Sequence, residues 1–278
     1  MPLLAFFKYG KTRARSLLAS VLGYWVPFIL TLCIMDNCNL APNITFSSIK
    51  CNSLNMSAST SSAQKLKLYG IAKLATDIIF LADVRISNRQ MVSALSEVNK
   101  TFRINPYASY TGRFNSTQNK RGVGILYKVC LNITEIRTIS DPEENFLLNL
   151  VKIEGKTIII GAVYGPNDNN VDFFRKLSNG IKSLGNYPVI LGGDWNCTPS
   201  TDGIENNIDC LNMQQPPNSR HSRYLREMCE ELKLIDCFRG LWPLREEYTF
   251  IPITEQFTCL LKNRLGAVSG DRAFPTQY

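Results

Sequence analysis

Two short apolar runs, each followed closely by polar residues, limit what this chain can fold into. Asp77–Ala82 reads DIIFLA and is followed by Asp83, and Val189–Gly192 is followed, after one more glycine, by Asp194. Runs this short and this apolar are typical of strands that are covered on both faces. Functional groups of layered α/β proteins gather beyond strand ends, where a rigid sheet holds them. We therefore expect a layered α/β fold with its chemistry at these strand ends.

The rest of the chain from residue 44 alternates between further strands and helices. Apolar residues at helical spacing predict helices over Ala63–Ala75, from an N-cap at Asn88 through Val98, over Val171–Leu184 and over Arg220–Lys233. β-rich runs predict strands over Ile44–Ile49, Gly122–Tyr127, Leu131–Thr138, Phe146–Ile153 and Thr157–Val163. The last two strands are separated by three residues that include Gly155, which is short enough for a hairpin.

The composition excludes several kinds of metal site. His221 is the one histidine of the 278 residues, and the nine cysteines include no CxxC pair. Histidine-rich centres and thiolate zinc sites of that spacing are therefore excluded. The 31 Lys and Arg against 23 Asp and Glu leave a net charge of +8. This charge suits nucleic acid or an anionic membrane surface, and it is also compatible with an ordinary soluble surface.

The N-terminal segment differs from the rest of the chain. Ser16–Met35 contains no charged residue, and four basic residues precede it. Its 20 positions are long enough to cross a bilayer, with the N-terminus on the cytoplasmic side. A secretory signal and an extension unrelated to the domain are the alternatives. The change in composition at about residue 40 predicts an extension over residues 1–40.

The polar residues after the apolar runs have the types that phosphate chemistry uses. Asp194 and Asn196 lie two apart, so in an extended segment both side chains point to one side, where they could activate and orient a water. A turn is the alternative interpretation. Asp83 could hold Mg²⁺ or end its strand in a turn. Tyr164 near Asn167 could bind phosphate oxygens, or be a packed aromatic residue before a Gly-Pro-Asn turn.

Several of these segments recur in the order seen in a known family. They are Asp83, Asn115–Tyr127 (NSTQNKRGVGILY), Tyr164–Asn167 (YGPN), Gly193–Asn196 (GDWN) and Tyr248–Phe250 (YTF). The set resembles the endonuclease/exonuclease/phosphatase superfamily, and within it the endonuclease domain of non-LTR retrotransposons. The resemblance covers about residues 44–255, which suggests a domain over residues 41–258 and a divergent tail over residues 259–278.

The resemblance implies a four-layer α/β/β/α sandwich with its active site at one end of two facing sheets. It also implies Mg²⁺-dependent hydrolysis of a DNA phosphodiester. By matching motif, Asp83 would bind the metal and Tyr164 would contact the scissile phosphate. Asp194 and Asn196 would activate and place the water. Supporting contacts to phosphate or to the catalytic groups would come from Asn167 and Thr249.

Two departures from the family pattern weaken this expectation. The family's first-strand Asn aligns with Lys50, whose ammonium repels a divalent cation, although a shifted register lets Asn52 serve. The closing Asp-His pair of the family has no match in residues 265–278, so the sandwich is expected to lack its last strands. Asp271 is a weak candidate for the missing acid, and His221 is expected on the surface of a helix.

The sequence therefore favours a DNA endonuclease domain of retrotransposon origin with impaired activity. A phosphatase of the same superfamily and an inactive nucleic-acid-binding remnant are the alternatives. Lys120 and Arg121 are candidate contacts to the DNA backbone, with a solvated charged loop as the alternative. On family grounds the expected location is the nucleus or the cytoplasm, with membrane anchoring through residues 16–35 as the alternative.

Overall fold

The computed structural model describes residues 31–33, 46–50, 61–72, 76–102, 105–117, 121–168, 170–197 and 219–236. Its strands are β1 (Thr31–Cys33), β2 (Phe46–Lys50), β3 (Ile78–Ala82), β4 (Tyr110–Asn115), β5 (Val123–Lys128), β6 (Thr134–Ser140), β7 (Phe146–Ile153), β8 (Lys156–Tyr164), β9 (Val189–Asp194) and β10 (Ile235–Asp236). Its helices are α1 (Ser61–Ala72), α2 (Asn88–Thr101), α3 (Val171–Leu184) and α4 (Ser219–Leu232), with a 3₁₀ turn at Val129–Leu131.

Six of the described strands form one sheet, in the order β10-β1-β9-β8-β7-β6. β8 and β9 run parallel, and Tyr164 at the end of β8 lies opposite Asp194 at the end of β9. All other neighbours in this sheet are antiparallel. The predicted hairpin between β7 and β8 is confirmed, and it turns through Glu154 and Gly155, both with positive φ.

The other four described strands form a second sheet, in the order β2-β3-β5-β4. β2 and β3 are parallel, with Lys50 opposite Ala82, and the remaining pairs are antiparallel. β4 is absent from the sequence prediction because its residues, YTGRFN, are mostly polar or half-exposed and show no apolar run.

The two sheets face each other across an apolar core. Phe80 and Ile125 of the four-stranded sheet lie in the same cluster as Ile160 of the six-stranded sheet. Helices α1 and α2 cover the outer face of the four-stranded sheet, where Met91 is buried. Helices α3 and α4 cover the outer face of the six-stranded sheet around Phe174. The predicted four-layer α/β/β/α sandwich is confirmed, while the predicted loss of the last strands concerns residues outside the described ranges.

The N-cap of helix α2 lies one residue before the predicted one. The cap is Ser87, whose Oγ accepts a hydrogen bond from the Gln90 backbone N–H at 3.3 Å, while Gln90 Oε1 accepts from the Ser87 N–H at 3.0 Å. This reciprocal capping box requires a Gln or Glu three residues after the cap, and Gln90 satisfies that spacing for Ser87. Asn88 is instead the first helical residue, and its Oδ1 accepts a hydrogen bond from the Ser116 N–H at 2.8 Å.

The six-stranded sheet takes in part of the apolar N-terminal segment. β1 pairs antiparallel with β9 on one side and with β10 on the other. Residues 31–33 of the predicted membrane segment 16–35 therefore form a strand beside β9. These residues lie within the extension predicted over residues 1–40, before the boundary predicted at about residue 40. Residues 16–30 lie outside the described ranges, and no described helix is both long enough and apolar enough to cross a membrane.

The ends of several strands meet along one edge of the sandwich, which we call the strand-end edge. It holds the carboxyl ends of β3, β8 and β9 and the loops that lead into β5 and β7. At this edge Asn115 Nδ2 at the end of β4 donates to the Phe146 carbonyl at the start of β7, at 3.1 Å, and so joins the two sheets. The rigid sandwich thus brings together the polar residues that follow the apolar runs.

Candidate active site

Asp83 follows β3 directly and is buried at the strand-end edge. Its φ is +54°, and Arg85 two residues later has φ +55°, a left-handed conformation that non-glycine residues seldom adopt. Arg85 Nε donates to Asp83 Oδ1 at 2.7 Å. This hydrogen bond raises the pKa of Arg85, and Tyr164 adds to the effect. The turn after β3 therefore holds a carboxylate and a guanidinium together beside Tyr164.

Asp194 and Asn196 are joined by local hydrogen bonds at the end of β9. Asp194 Oδ1 accepts from the Asn196 backbone N–H at 3.1 Å. Asn196 has φ +50°, so the segment leaves the extended conformation at Asn196, as the alternative interpretation as a turn requires. Asn196 Nδ2 instead donates to the Gly165 carbonyl at 2.6 Å, which fixes the amide across the ends of β8 and β9.

Glycine is required where β8 and β9 come closest. Gly193 has φ +151°, and a Cβ there would lie 1.9 Å from the Val163 carbonyl oxygen. A Cβ at Gly165 would lie 2.1 Å from the Trp195 carbonyl oxygen. Because backbone atoms cannot rotate away as side chains do, these glycines hold the strand ends at this separation and fix Tyr164 beside Asp194.

A second group of polar residues lines the same edge, and one of them, Asn145, is absent from the sequence prediction. The Asn145 side chain is 2% exposed, and its Oδ1 accepts a hydrogen bond from Arg121 Nη1 at 2.8 Å. Its backbone carbonyl accepts from the Tyr164 N–H at 2.7 Å. The sequence signal for Asn145 is limited to a polar residue directly before an apolar strand.

The structure brings five of the predicted residues to this edge. Asp83, Tyr164, Asp194, Asn196 and Arg121 all lie there. Asn167 is exposed in the loop after β8, and the other predicted residues, Asn52, Lys120, Thr249 and Asp271, lie outside the described ranges.

One oxygen of Asp83 suits a divalent cation. Asp83 Oδ2 is buried and has no hydrogen-bond partner in the part of the chain that the structure describes. Mg²⁺ commonly uses one or two carboxylates and keeps several waters, so this oxygen fits it. Arg85 on the other oxygen cancels part of the negative charge and weakens the affinity. The described ranges contain no group of three His, Cys, Asp or Glu side chains that could hold a metal.

Cys197 lies just beyond the site and does not act as a nucleophile there. Burial raises the pKa of its thiol to about 12, and Asp194 adds to the effect. Since the thiolate is the reactive form, a thiol with this pKa stays protonated at neutral pH. The chemistry of the site therefore depends on oxygen and nitrogen groups.

His221 is buried in α4, so its predicted surface position is wrong. Its Nε2 accepts a hydrogen bond from the Asn170 backbone N–H at 3.0 Å, and its ring packs against Phe174 with centroids 5.7 Å apart. Burial lowers the pKa of His221, although Asp168 opposes this shift. The imidazole is thus a neutral acceptor that joins α4 to the start of α3, and this contact occupies the one histidine of the chain.

The pKa of His221 predicts a loss of stability on acidification. The folded state holds the imidazole neutral, so below the ordinary pKa of 6.5 the unfolded state binds more protons and the free energy of unfolding falls as the pH falls. Protonation also removes the acceptor for the Asn170 N–H. Urea unfolding at pH 7.5 and 5.5 should show a lower midpoint at pH 5.5. His221→Gln keeps an acceptor without titrating, and we expect it to reduce this difference. An equal pH dependence in both proteins would contradict the assignment.

Solved structures that align with this one include DNA-processing enzymes. No protein-family model and no curated protein sequence matches the chain. The structure aligns with an AP endonuclease from Archaeoglobus fulgidus at a TM-score of 0.50 and 16% identity, covering 66% of this chain and 70% of that one. It aligns with the 3′ phosphatase NExo from Neisseria, bound to a product DNA hairpin, at a TM-score of 0.52 and 15% identity, covering 70% and 77%. The 3′-5′ exonuclease NExo from Neisseria meningitidis gives a TM-score of 0.51 and 16% identity, with the same coverage.

The described residues share the fold of these three structures, which are of the endonuclease/exonuclease/phosphatase type. At these identities the likeness concerns the fold, whereas the chemistry of this chain is argued from its own residues. The resemblance to that superfamily is thus confirmed at the level of fold, and the closer resemblance to retrotransposon domains stays a prediction.

Proposed function

We propose that this chain contains a DNA-binding phosphodiester hydrolase domain of the endonuclease type. The observation that carries the proposal is the meeting of Asp83, Tyr164, Asp194 and Asn196 at one edge of two facing sheets. A basic chain with a net charge of +8 suits a polyanionic substrate such as DNA. The ordered motifs of the sequence support an origin in a non-LTR retrotransposon. We place the protein in the nucleus or the cytoplasm, where DNA and a reducing environment for unpaired cysteines coexist.

In this proposal each residue of the strand-end edge has a separate role in hydrolysis. Asp194 is the general base that accepts the proton of an attacking water. Asn196 fixes the end of β9 through the Gly165 carbonyl and so holds Asp194 in position. Tyr164, adjacent to Arg85, contacts the phosphate of the substrate. Asp83 would hold Mg²⁺, and the ion would supply positive charge to balance the negative charge that develops on the phosphate.

Mg²⁺ and DNA should each bind the chain, and the two can be measured separately. At free Mg²⁺ ten times its Kd, mass action adds about 1.4 kcal/mol of stability, which raises the melting temperature by about 2–5 °C. Asp83→Asn should remove this rise, whereas Asp172→Asn, an exposed carboxylate on α3, should keep it. Duplex DNA should bind with an affinity that falls steeply as salt rises, because phosphate contacts release counterions. Absence of DNA binding at low salt would overturn the proposal.

A further inference from the structure

We propose that Arg121 is a fixed contact for a DNA phosphate at the strand-end edge and that Asn145 is its positioning residue. The inference rests on the proposed function, since the phosphate belongs to a DNA backbone. Because Asn145 already holds the Arg121 side chain in place, Arg121 can bind a phosphate with little further loss of side-chain freedom. Three observations support it.

The first observation is the charge of the group that holds Arg121. Asn145 Oδ1 accepts from Arg121 Nη1 at 2.8 Å, and this amide carries no net charge. The guanidinium is therefore held in place without being neutralised, and its side chain is 36% exposed. Arg85 and Arg113 differ in this respect, because each is bonded to a carboxylate at 2.7 and 2.6 Å.

The carboxylate near Arg121 is already engaged by another cation. Glu143 Oε2 lies 3.9 Å from Arg121 Nη1, whereas Glu143 Oε1 accepts from Lys176 Nζ at 2.8 Å. The hydrogen bond to Lys176 is the main cause of the lowered pKa of Glu143. Most of the charge on Arg121 is thus left for a ligand, and a planar guanidinium suits the oxygens of a phosphate.

The second observation is the fixed backbone of Arg121. Its φ is +48°, and its carbonyl accepts from the Arg85 N–H at 2.9 Å. The next carbonyl, of Gly122, accepts from the Val84 N–H at 3.0 Å. A left-handed conformation of a non-glycine residue persists where surrounding contacts enforce it, and such positions cluster at functional sites. The loop is thereby tied to the turn that holds Asp83.

The third observation is the direct connection from Asn145 to the site. The Asn145 N–H donates to Asp141 Oδ2 at 3.1 Å, and its carbonyl accepts from the Tyr164 N–H at 2.7 Å. One residue therefore sets the position of both Arg121 and the end of β8. A phosphate bound by Arg121 is placed at a fixed position relative to Tyr164.

Binding of a short duplex DNA to the full chain, measured over a range of salt concentrations, tests this assignment. Arg121→Ala should weaken binding roughly tenfold and reduce the slope of log K against log salt by about 0.9, the value of one phosphate contact. Asn145→Ala should weaken binding about threefold with an unchanged slope, since the charge remains but its position is no longer fixed. The double variant should bind within about twofold of Arg121→Ala, because the two residues act together.

A second variant keeps the test decisive if Asn145→Ala unfolds. Asn145→Asp retains the shape and the acceptor but adds a charge that neutralises Arg121, so we expect the slope to fall as in Arg121→Ala. Lys100→Ala is the matched control, because it removes an equal charge at a site about 18 Å along α2 from the first residue of that helix. This variant should leave DNA binding unchanged. Two results would overturn the inference, provided that the parent chain binds DNA. One is a loss of affinity in the double variant equal to the product of the two single losses. The other is an unchanged salt slope in Arg121→Ala and Asn145→Asp. Failure of the parent itself to bind would overturn the proposed function instead.

Discussion

Gly193→Ala is expected to lower the free energy of unfolding by about 2–6 kcal/mol. The new Cβ would lie 1.9 Å from the Val163 carbonyl oxygen and 2.8 Å from the Val163 carbonyl carbon, all backbone contacts within the sheet. Overpacking of this kind costs about 1–3 kcal/mol, and the φ of +151° adds about 1–3 kcal/mol of strain. Urea unfolding of the full chain measures the loss, and the variant should also separate the ends of β8 and β9.

Gly155→Ala is the matched control for this variant. Gly155 also has a positive φ, +83°, but a Cβ there would meet no atom within 4 Å. Its substitution should cost only the conformational term, about 1 kcal/mol. Similar losses for Gly155→Ala and Gly193→Ala would show that the close approach of β8 and β9 has no energetic weight, which would contradict the account of the site.

The second large effect concerns catalysis. We expect this 278-residue chain to nick supercoiled plasmid very slowly in the presence of Mg²⁺. Its one histidine, His221, is buried and occupied by the Asn170 N–H, so no imidazole is available at the strand-end edge. Proton transfer by a positioned side chain typically contributes a factor of about 10²–10⁴ in rate. The Asp-His pair expected from the retrotransposon resemblance would supply this group.

A repaired variant measures what this missing group contributes. It carries Lys50→Asn and replaces the residues after Thr258 with the closing segment of a related domain. We expect it to nick plasmid at least about 100-fold faster than the parent, and Asp194→Ala should abolish this gain. Robust Mg²⁺-dependent nicking by the parent, lost in Asp194→Ala, would prove the expectation wrong and would identify a catalytic route without histidine.

The strands and helices that were predictable have strong local signals. β7 and α3 occupy the predicted residues. The continuous apolar run of β7 is typical of a buried strand, and the clear helical periodicity of α3 is typical of an amphipathic helix. Asp83 and Asp194 were predictable for a related reason, since each follows such a run directly. Gly193 lies at the end of β9, but the sequence does not show that the Val163 carbonyl leaves no room for a side chain there.

Features that depend on distant contacts were not predictable. Asn145 acts through Arg121, 24 residues away in sequence, and no local pattern connects the two. Asn196 was expected to continue an extended strand, but its bond to the Gly165 carbonyl favours a turn. His221 lies on an amphipathic helix whose first turn is covered by α3, and burial there depends on the packing of the two helices.

β1 gives the apolar N-terminal segment two incompatible environments. Thr31–Cys33 pairs with β9, the strand that carries Asp194, and with β10. A backbone segment satisfies its hydrogen bonds in one partner set at a time, so these residues cannot pair in the sheet and also lie in a helix within a bilayer. Any inserted population would leave one side of β9 as an open edge next to Asp194. Insertion of residues 31–33 into a membrane and their pairing with β9 are therefore mutually exclusive states of the same residues.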